Sequence, residues 1–419
     1  MSAKARVGPA TATAPCRAHF AAPAAPAQVA TLGRMRRASA MRPVLANAVP
    51  PSMQAGANVL ASLMEATEVI PDTVLMDDFA TYKPTAATVN ASIIRSIATS
   101  MAHADLEIAV ENALSFPACV ALNDGTPNKA NDKMLNCFLD KALANVGSNF
   151  ASHVDGKVSV EVDPNLAEDT DAIVKKVKHL LGLFEDMGTK KDKLLWKIPA
   201  TWAGIQAVAK LEKEGLMCHV THVYCFVQAA AAAQAGAAVI QPYVGRVRDW
   251  YRANPNAIHD PHGPREDAGS LFEENMSDAG IELVKKVWNF VRKQGLGSKV
   301  IAASMRNQDD VMALAGVDYM VISPRMMKKM EASATDAGYN DGLRPGGSTG
   351  ITIPLSKESA AAAEFAEVEL KTVDAALFEV ELNQCAKDLM AESLAISRKE
   401  HSRAMTELDH MYPPTAGGA

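Results

Sequence analysis

Short apolar runs alternate with amphipathic stretches along most of the chain. The apolar runs predict strands at 73–78, 86–90, 157–163, 193–199, 218–224, 237–245, 299–305 and 319–324. Stretches with helical periodicity lie between them, among others at 169–187, 203–214, 227–235 and 278–294. Short apolar runs bounded by turn residues are typical of buried strands, and longer amphipathic stretches are typical of helices. The chain is therefore predicted to be built from repeated strand–helix units.

Repeated units of this kind predict a parallel sheet covered by helices on its faces. Eight such units favour a (β/α)8 TIM barrel in the α/β class, with extra helices near 56–69 and in a tail near 357–409. A doubly wound open sheet is the alternative, but no GxGxxG turn follows a predicted strand. In the barrel, the functional site is expected at the carboxyl ends of the strands.

Polar residues recur where the predicted strands end. They are Asp77, Asp78, Asn90, Glu161, Asp163, Lys197, His219, Thr221, Gln241, Tyr243, Ser304 and Arg306. Lys197 stands out because it interrupts the apolar run LLWKIP, and buried lysines are rare unless they are paired or used. A lysine among apolar side chains can supply a neutral amine that attacks a carbonyl, and nearby carboxylates can then move protons. The alternative is a lysine that reaches solvent from the strand end.

The beginning of the chain has a different composition from the rest. Residues 1–64 contain seven Lys and Arg residues but no Asp or Glu, and they are rich in Ala, Pro, Ser and Thr. This composition predicts an organelle transit peptide over residues 1–48, followed by one barrel domain over residues 49–419 that includes the helical tail. It favours the chloroplast stroma, with the mitochondrion as the alternative destination and a disordered tail as the alternative interpretation.

The remaining composition narrows the class of partner. Beyond residue 64 the chain keeps 35 of its 42 basic residues against all 48 acidic ones, which makes it a poor binder of nucleic acid. No apolar stretch is long enough to span a membrane. The six cysteines form no CxxC pair, so we expect reduced, mostly buried thiols. The motif HDPHG at His259 predicts a loop and not a metal site, and RPGGSTG at 344–350 predicts another loop.

Segment 194–251 carries a specific resemblance. Its motifs are KIPATWAGI, LEKEG, HVTHVYCFVQA and PYVGRVRDWY, and weaker matches are VLMDD, KPTAATVNASI, VSVEVD and IAASMRN, all in order within residues 60–330. The chain closely resembles the transaldolase family. That resemblance implies a barrel that moves a dihydroxyacetone unit from sedoheptulose 7-phosphate or fructose 6-phosphate to an aldose phosphate, without metal or other cofactor, in the pentose phosphate pathway. The oligomeric state is left as monomer or homodimer.

The resemblance also implies catalytic roles. Lys197 matches the lysine that forms the Schiff base with the ketose. Asp77 matches the aspartate that takes the proton of the C4 hydroxyl, with the adjacent Asp78 as the alternative register. Glu161 matches the acid–base residue that works through a water molecule, and Thr221 matches the residue that also holds this water.

The positions that would bind substrate include matches and departures. Asn90 matches the residue that binds the dihydroxyacetone hydroxyls. His219 stands where asparagine is usual, Gln241 where serine is usual, and Tyr243 where transaldolases have phenylalanine and fructose-6-phosphate aldolases have tyrosine. The phosphate pocket is expected to use Arg246, Ser304 and Arg306, and Arg248 is expected to be a surface charge or a helix charge. The departures keep two alternatives open, an aldolase-like enzyme that releases dihydroxyacetone and a catalytically impaired sugar-phosphate-binding barrel.

Overall fold

The protein is described from a computed structural model. The described residues are 58–73, 76–100, 104–126, 129–258, 260–262, 278–333 and 351–412, with the backbone alone at 76–77 and 104–105. The predicted transit peptide over residues 1–48 and the predicted loop at 344–350 lie outside these ranges.

Eight parallel strands form a nearly closed barrel. They are β1 (Glu68–Pro71), β2 (Ala87–Val89), β3 (Val158–Glu161), β4 (Leu194–Pro199), β5 (Cys218–Val223), β6 (Val239–Pro242), β7 (Lys299–Ala302) and β8 (Tyr319–Ile322). Hydrogen bonds connect them in the order β1-β8-β7-β6-β5-β4-β3-β2, so the seam lies between β1 and β2. Helices separate and flank the strands, which confirms the predicted (β/α)8 TIM barrel.

The helices surround this sheet. They are α1 (Val59–Met64), α2 (Met76–Tyr82), α3 (Ala91–Thr99), α4 (Ala104–Leu114), α5 (Pro117–Val120), α6 (Asp132–His153), α7 (Thr170–Glu185), α8 (Trp202–Lys213), α9 (Phe226–Gln234), α10 (Val244–Ala253), α11 (Ala279–Lys293), α12 (Gln308–Met312), α13 (Pro324–Glu331), α14 (Lys357–Ala362), α15 (Ala375–Glu381) and α16 (Gln384–Met411). Short 3-10 turns occur at Pro164–Leu166, Lys191–Lys193 and Glu367–Leu370. No helix among the described residues is long and apolar enough to cross a membrane.

The long helix α16 ties the tail to the barrel. It packs against α3, α6 and α10, and an ion pair joins Arg95 of α3 to Glu400 at 2.9 Å. The predicted tail is therefore real, but it consists of several helices that end in one long one. The helix predicted at 56–69 is shorter than expected, because α1 ends at Met64 and the chain then enters β1.

Alternation along β4 decides which side chains enter the barrel. Trp196 is fully buried on the outer face, where its ring meets the edge of Phe184 from α7 at a centroid distance of 6.2 Å. Leu195 faces inward and joins a buried apolar cluster with Ile70, Val239 and Ile301. Lys197 lies two residues beyond Leu195 and so shares its face. Its side chain points into the barrel near the carboxyl end.

The first predicted strand is wrong. The prediction was residues 73–78, but β1 runs from Glu68 to Pro71, and residues 76–82 form α2. Pairing decides the difference, because Glu68–Pro71 aligns residue by residue with Tyr319–Ile322 of β8. The other predicted strands overlap observed ones, and the four predicted helices coincide with α7, α8, α9 and α11.

The expectation of reduced thiols is also wrong for one pair. Cys119 in α5 and Cys137 in α6 form a disulfide, with Cα atoms 5.4 Å apart. Helices α5 and α6 contact each other, which brings these two positions together. Among the described residues, the free thiols Cys218, Cys225 and Cys385 are buried as expected.

Candidate active site

A cavity of about 560 Å³ opens at the carboxyl ends of the strands. Its polar wall includes Asp72, Asn90, Lys197, Gln241, Tyr243, Ser304 and Arg306. The volume suits a small molecule, and the many polar groups that converge on the cavity suit a polar ligand. The structure therefore brings together six of the predicted site residues and adds one, Asp72.

Glu161 and His219 flank Lys197 on the neighbouring strands. Parallel pairing places Glu161 of β3 and His219 of β5 opposite Lys197, so the three side chains share the inner face. Burial raises the pKa of Glu161, while the nearby Lys197 charge and the backbone amide of Ala91 offset part of that rise. A carboxyl that holds its proton more readily than usual, next to an amine, can both donate and accept protons.

Thr221 contacts two of the residues that differ from the usual family pattern. Its hydroxyl donates to Oε1 of Gln241 at 3.2 Å and lies 3.0 Å from the hydroxyl of Tyr243. Threonine has one hydroxyl hydrogen. Because the Gln241 oxygen can only accept, both bonds are made together only when Thr221 donates to Gln241 and Tyr243 donates to Thr221.

His219 is almost fully buried, with 2% of its surface exposed. Its Nδ1 lies 2.9 Å from the hydroxyl of Ser159, while Nε2 has no protein partner that meets hydrogen-bond geometry. Burial and the neighbouring Lys197 charge hold the pKa of His219 far below its usual value, and nearby Gln241 opposes only part of that fall. His219 is therefore a neutral imidazole at physiological pH.

His222 lies one residue beyond Thr221 and is an unusual strand residue. Its backbone φ is +59°, in the left-handed region, at the point where the β5–β6 register shifts. Its ring packs against Tyr224 and Tyr243 at centroid distances of 6.3 and 6.1 Å. Burial, together with the charges of Lys197 and Arg246, lowers the pKa of His222 to about 3. Positive φ at a non-glycine residue stores strain, which is common near functional sites.

The two predicted phosphate arginines have different surroundings. Arg306 lines the cavity, and its Nη2 donates to Asp249 at 2.9 Å. Arg246 binds the tail instead, donating to Ser393 and to Glu392 of α16, each at 2.9 Å. Ser304 has a φ of +65°, and its carbonyl oxygen accepts the amide of Gly245 at 3.0 Å.

Asn90 has a second task besides lining the cavity. Its side-chain oxygen caps α3 by accepting the amide of Ile93 at 2.9 Å. This cap fixes the side chain at the carboxyl end of β2.

The aspartate at the end of the first strand is Asp72. It follows Pro71 directly, its amide donates to Ile322 at 2.9 Å, and it lines the cavity. Asp77 lies in α2, beyond the strand end that the prediction assigned to it, and its side chain is outside the described part. The carboxylate of Asp78 accepts the hydroxyl of Thr73 at 2.6 Å. A signal for Asp72 existed in the sequence, because it follows the apolar run VIP, but the longer run at 73–78 masked it.

Two further charged residues have partners in the structure. Arg248 lies in helix α10, one of its two predicted alternatives, but it is wrong as a surface charge, because it is buried between Asp278 and Asp310. Asp163 caps the turn Pro164–Leu166 by accepting the amide of Asn165.

The loop with the HDPHG motif is only partly described. His259 lies outside the described residues. Nε2 of His262 is 2.7 Å from Glu381, and Asp260 pairs with Lys286. The described residues contain no group of three or more His, Cys, Asp or Glu side chains arranged to hold a metal.

Fold and cavity together define a (β/α)8 barrel with a lysine-centred site at the carboxyl ends of its strands. The profile of the family Transaldolase/Fructose-6-phosphate aldolase matches residues 69–408, and the chain belongs to this family.

Named relatives agree with this assignment. A protein called Transaldolase from Methylobacillus flagellatus is 33% identical over 279 residues, which cover 66% of this chain and 80% of that protein. One from Saccharomyces cerevisiae is 34% identical over 63% of this chain and 72% of its own length. One from Vibrio cholerae is 34% identical over 66% and 80%, respectively.

Proposed function

We propose that the protein is a transaldolase, which transfers a dihydroxyacetone unit between sugar phosphates through a Schiff base on Lys197. The observation that carries this proposal is the inward-facing Lys197 between Glu161 and His219, in a cavity that also holds Arg306. Family membership supports the reaction class, and the relatives' name supports transfer as the outcome. Such a transferase belongs to sugar-phosphate interconversion in the pentose phosphate pathway.

The first steps form the imine. The Lys197 amine attacks the C2 carbonyl of the ketose phosphate, and the resulting carbinolamine loses water to give a protonated imine. We assign these proton transfers to Glu161, acting through a water that Thr221 would hold. Its raised pKa suits a group that must alternate between acid and base.

Bond cleavage follows from the imine as an electron sink. A base removes the C4 hydroxyl proton, the C3–C4 bond breaks, and its electron pair becomes the enamine. We propose Asp72 as this base, in place of Asp77, because Asp72 lines the cavity with Lys197. The aldose phosphate leaves, another aldose phosphate binds, and the same steps in reverse build the new ketose.

Trapping tests this proposal. Borohydride in the presence of fructose 6-phosphate should reduce the imine to a stable adduct that mass mapping places on Lys197. The Lys197→Met protein should form none. Absence of any adduct in the wild-type protein would refute the lysine-based chemistry and leave the impaired sugar-phosphate-binding barrel.

An aldolase-like outcome is the second candidate, and the Tyr243 hydroxyl favours it. This phenol lies at the catalytic cavity and is bonded to Thr221. If it helped to protonate the enamine carbon, water would hydrolyse the resulting imine and release dihydroxyacetone from Lys197. Erythrose 4-phosphate added with fructose 6-phosphate separates the outcomes: sedoheptulose 7-phosphate reports transfer, and free dihydroxyacetone reports aldol cleavage.

We also infer that residues 1–48 direct the protein to the chloroplast stroma. The support is the acid-free composition of residues 1–64 and a family match that begins only at residue 69. Residues 1–64 fused to a fluorescent protein should enter isolated chloroplasts and be shortened there. Import by mitochondria alone would instead support the mitochondrial alternative.

A further inference from the structure

Arg248 is the most deeply buried arginine among the described residues. It lies in α10 with 6% of its surface exposed, two residues beyond Arg246. Its Nη1 donates to Asp310 at 2.6 Å and to Asp278 at 3.0 Å. Asp278 in turn caps α11 by accepting the amides of Gly280 and Ile281. The guanidinium thus joins the start of α11 to Asp310 in α12.

Asp310 connects Arg248 to the backbone of Arg306. One oxygen of the carboxylate binds Arg248, and the other accepts the backbone amide of Arg306 at 2.7 Å. Burial favours the protonated form, but Arg248 and the amides of Arg306 and Asn307 outweigh it and hold the pKa of Asp310 below its usual value. Asp310 is therefore a fixed carboxylate that needs Arg248 as its counter-charge.

Helix α10 also contacts the side chain of Arg306 directly. Asp249, the residue after Arg248, accepts Nη2 of Arg306 at 2.9 Å. The backbone of Arg306 is held through Asp310 and its side chain through Asp249. Bidentate recognition of phosphate needs a guanidinium in a defined orientation.

We propose that Arg248 is a positioning residue for the phosphate end of the substrate site. It acts through Asp310 to fix the backbone of Arg306, and so aims that guanidinium at the phosphate of a sugar phosphate. The inference rests on the proposed function, because it takes a sugar phosphate as substrate. A merely structural Arg248 would stabilise the α10–α11 junction without affecting phosphorylated ligands in particular.

Arg248→Lys is the informative variant. Lysine keeps the charge, but it lacks the fork that serves two carboxylates at once. Arg248→Met would leave two buried carboxylates unpaired and is expected to unfold the protein more readily. The matched control is Arg292→Lys, which alters another Arg–Asp pair, Arg292–Asp318, next to the amino ends of β7 and β8.

The assay compares ligands with and without a phosphate. For Arg248→Lys we expect the KM for fructose 6-phosphate and the inhibition constant for inorganic phosphate to rise about tenfold, the size of one weakened charge-assisted hydrogen bond. Borohydride trapping of free dihydroxyacetone on Lys197 should stay within about twofold of wild type. Arg292→Lys should leave all three unchanged.

The outcomes separate this inference from the proposed function. Two results in Arg248→Lys would overturn the positioning role: an unchanged KM for fructose 6-phosphate, or an equal loss of affinity for ligands with and without a phosphate. Trapping in the wild type would still support the reaction in either case. Calorimetry with fructose 6-phosphate in the Lys197→Met background decides the inference even if no imine forms. There the added Arg248→Lys change should again weaken binding about tenfold, and equal dissociation constants would overturn it.

Discussion

Replacing Gly245 with alanine tests how the phosphate end of the site is packed. Gly245 is the second residue of α10, and a Cβ built there would lie 2.4 Å from the carbonyl oxygen of Ser304 and 2.6 Å from Nε of Arg306. Both distances are too short for carbon next to oxygen or nitrogen. Both groups would have to move: the Arg306 side chain can rotate away, but the contact with the Ser304 carbonyl is relieved only by a shift of the backbone that follows β7.

The size of the effect follows from two opposing terms. Alanine in a helix is better than glycine by about 1 kcal/mol. Overpacking a tight site costs about 1–3 kcal/mol. We expect a net loss of up to about 2 kcal/mol in the free energy of unfolding. The KM for fructose 6-phosphate should rise about tenfold, because a displaced Arg306 guanidinium no longer points at the phosphate.

Gly182→Ala is the matched control for this prediction. Gly182 lies in the exposed face of α7, and a Cβ there would meet no atom within 4 Å. This variant should be neutral or more stable by up to about 1 kcal/mol, with an unchanged KM. Denaturant unfolding and steady-state kinetics measure both quantities. A Gly245→Ala protein with wild-type KM and stability would refute the reasoning, because it would mean that Arg306 does not pack on Gly245.

Three further substitutions probe the catalytic end. Asp72→Asn should lower kcat about 10²–10⁴-fold, as expected when a general base is lost, whereas the kcat of Asp78→Asn should stay close to wild type. The reverse result would return the role of general base to an aspartate of α2. Glu161→Gln should lower kcat and remove the acid limb of the pH–kcat profile. Since burial raises the pKa of Glu161, its carboxylate form is lost as pH falls through a value above that of an ordinary glutamate. An acid limb that persists in the variant would contradict this assignment. His222→Val should destabilise the protein by about 1–3 kcal/mol because a β-branched residue tolerates φ of +59° poorly, and His222→Asn should be milder; equal unfolding free energies for the two variants would show that the strain is absent.

The strand pattern was predictable where local sequence and pairing agree. Seven predicted strands overlap observed ones because their apolar runs are long or strongly β-branched, as in LLWKIP of β4. The first strand failed because the neighbouring run at 73–78 has the stronger local strand pattern, whereas Glu68–Pro71 is selected by pairing with β8, some 250 residues away in sequence. Periodicity cannot separate a short buried strand from a neighbouring apolar run in a helix. The same error placed Asp77, and not Asp72, at the end of the first predicted strand.

Long-range ion pairs were equally invisible from sequence. Arg248 looks like a helix surface charge, since its neighbours Arg246 and Asp249 are charged too. Its burial depends on Asp278 and Asp310, which come from two other helices and converge only in the folded barrel. Lys197 could be predicted because its local context is apolar and its strand position sets its direction. A residue whose role depends on partners distant in sequence offers no comparable local signal.

The unusual residues around Thr221 have to be judged together. Taken one at a time, Gln241 and Tyr243 are departures that could each disturb the catalytic water. In the structure the Thr221 hydroxyl gives its hydrogen to Gln241 and accepts one from Tyr243. A hydroxyl has two acceptor positions, so one lone pair is left, and Thr221 can hold a water only by accepting a hydrogen from it. That water then turns its own lone pairs away from Thr221, where they can receive a proton from Glu161 or attack the imine carbon. With Gln241 and Tyr243 in place, Thr221 can still hold a water in the hydrogen-bond direction that water-mediated proton transfer requires. This argues for retained turnover.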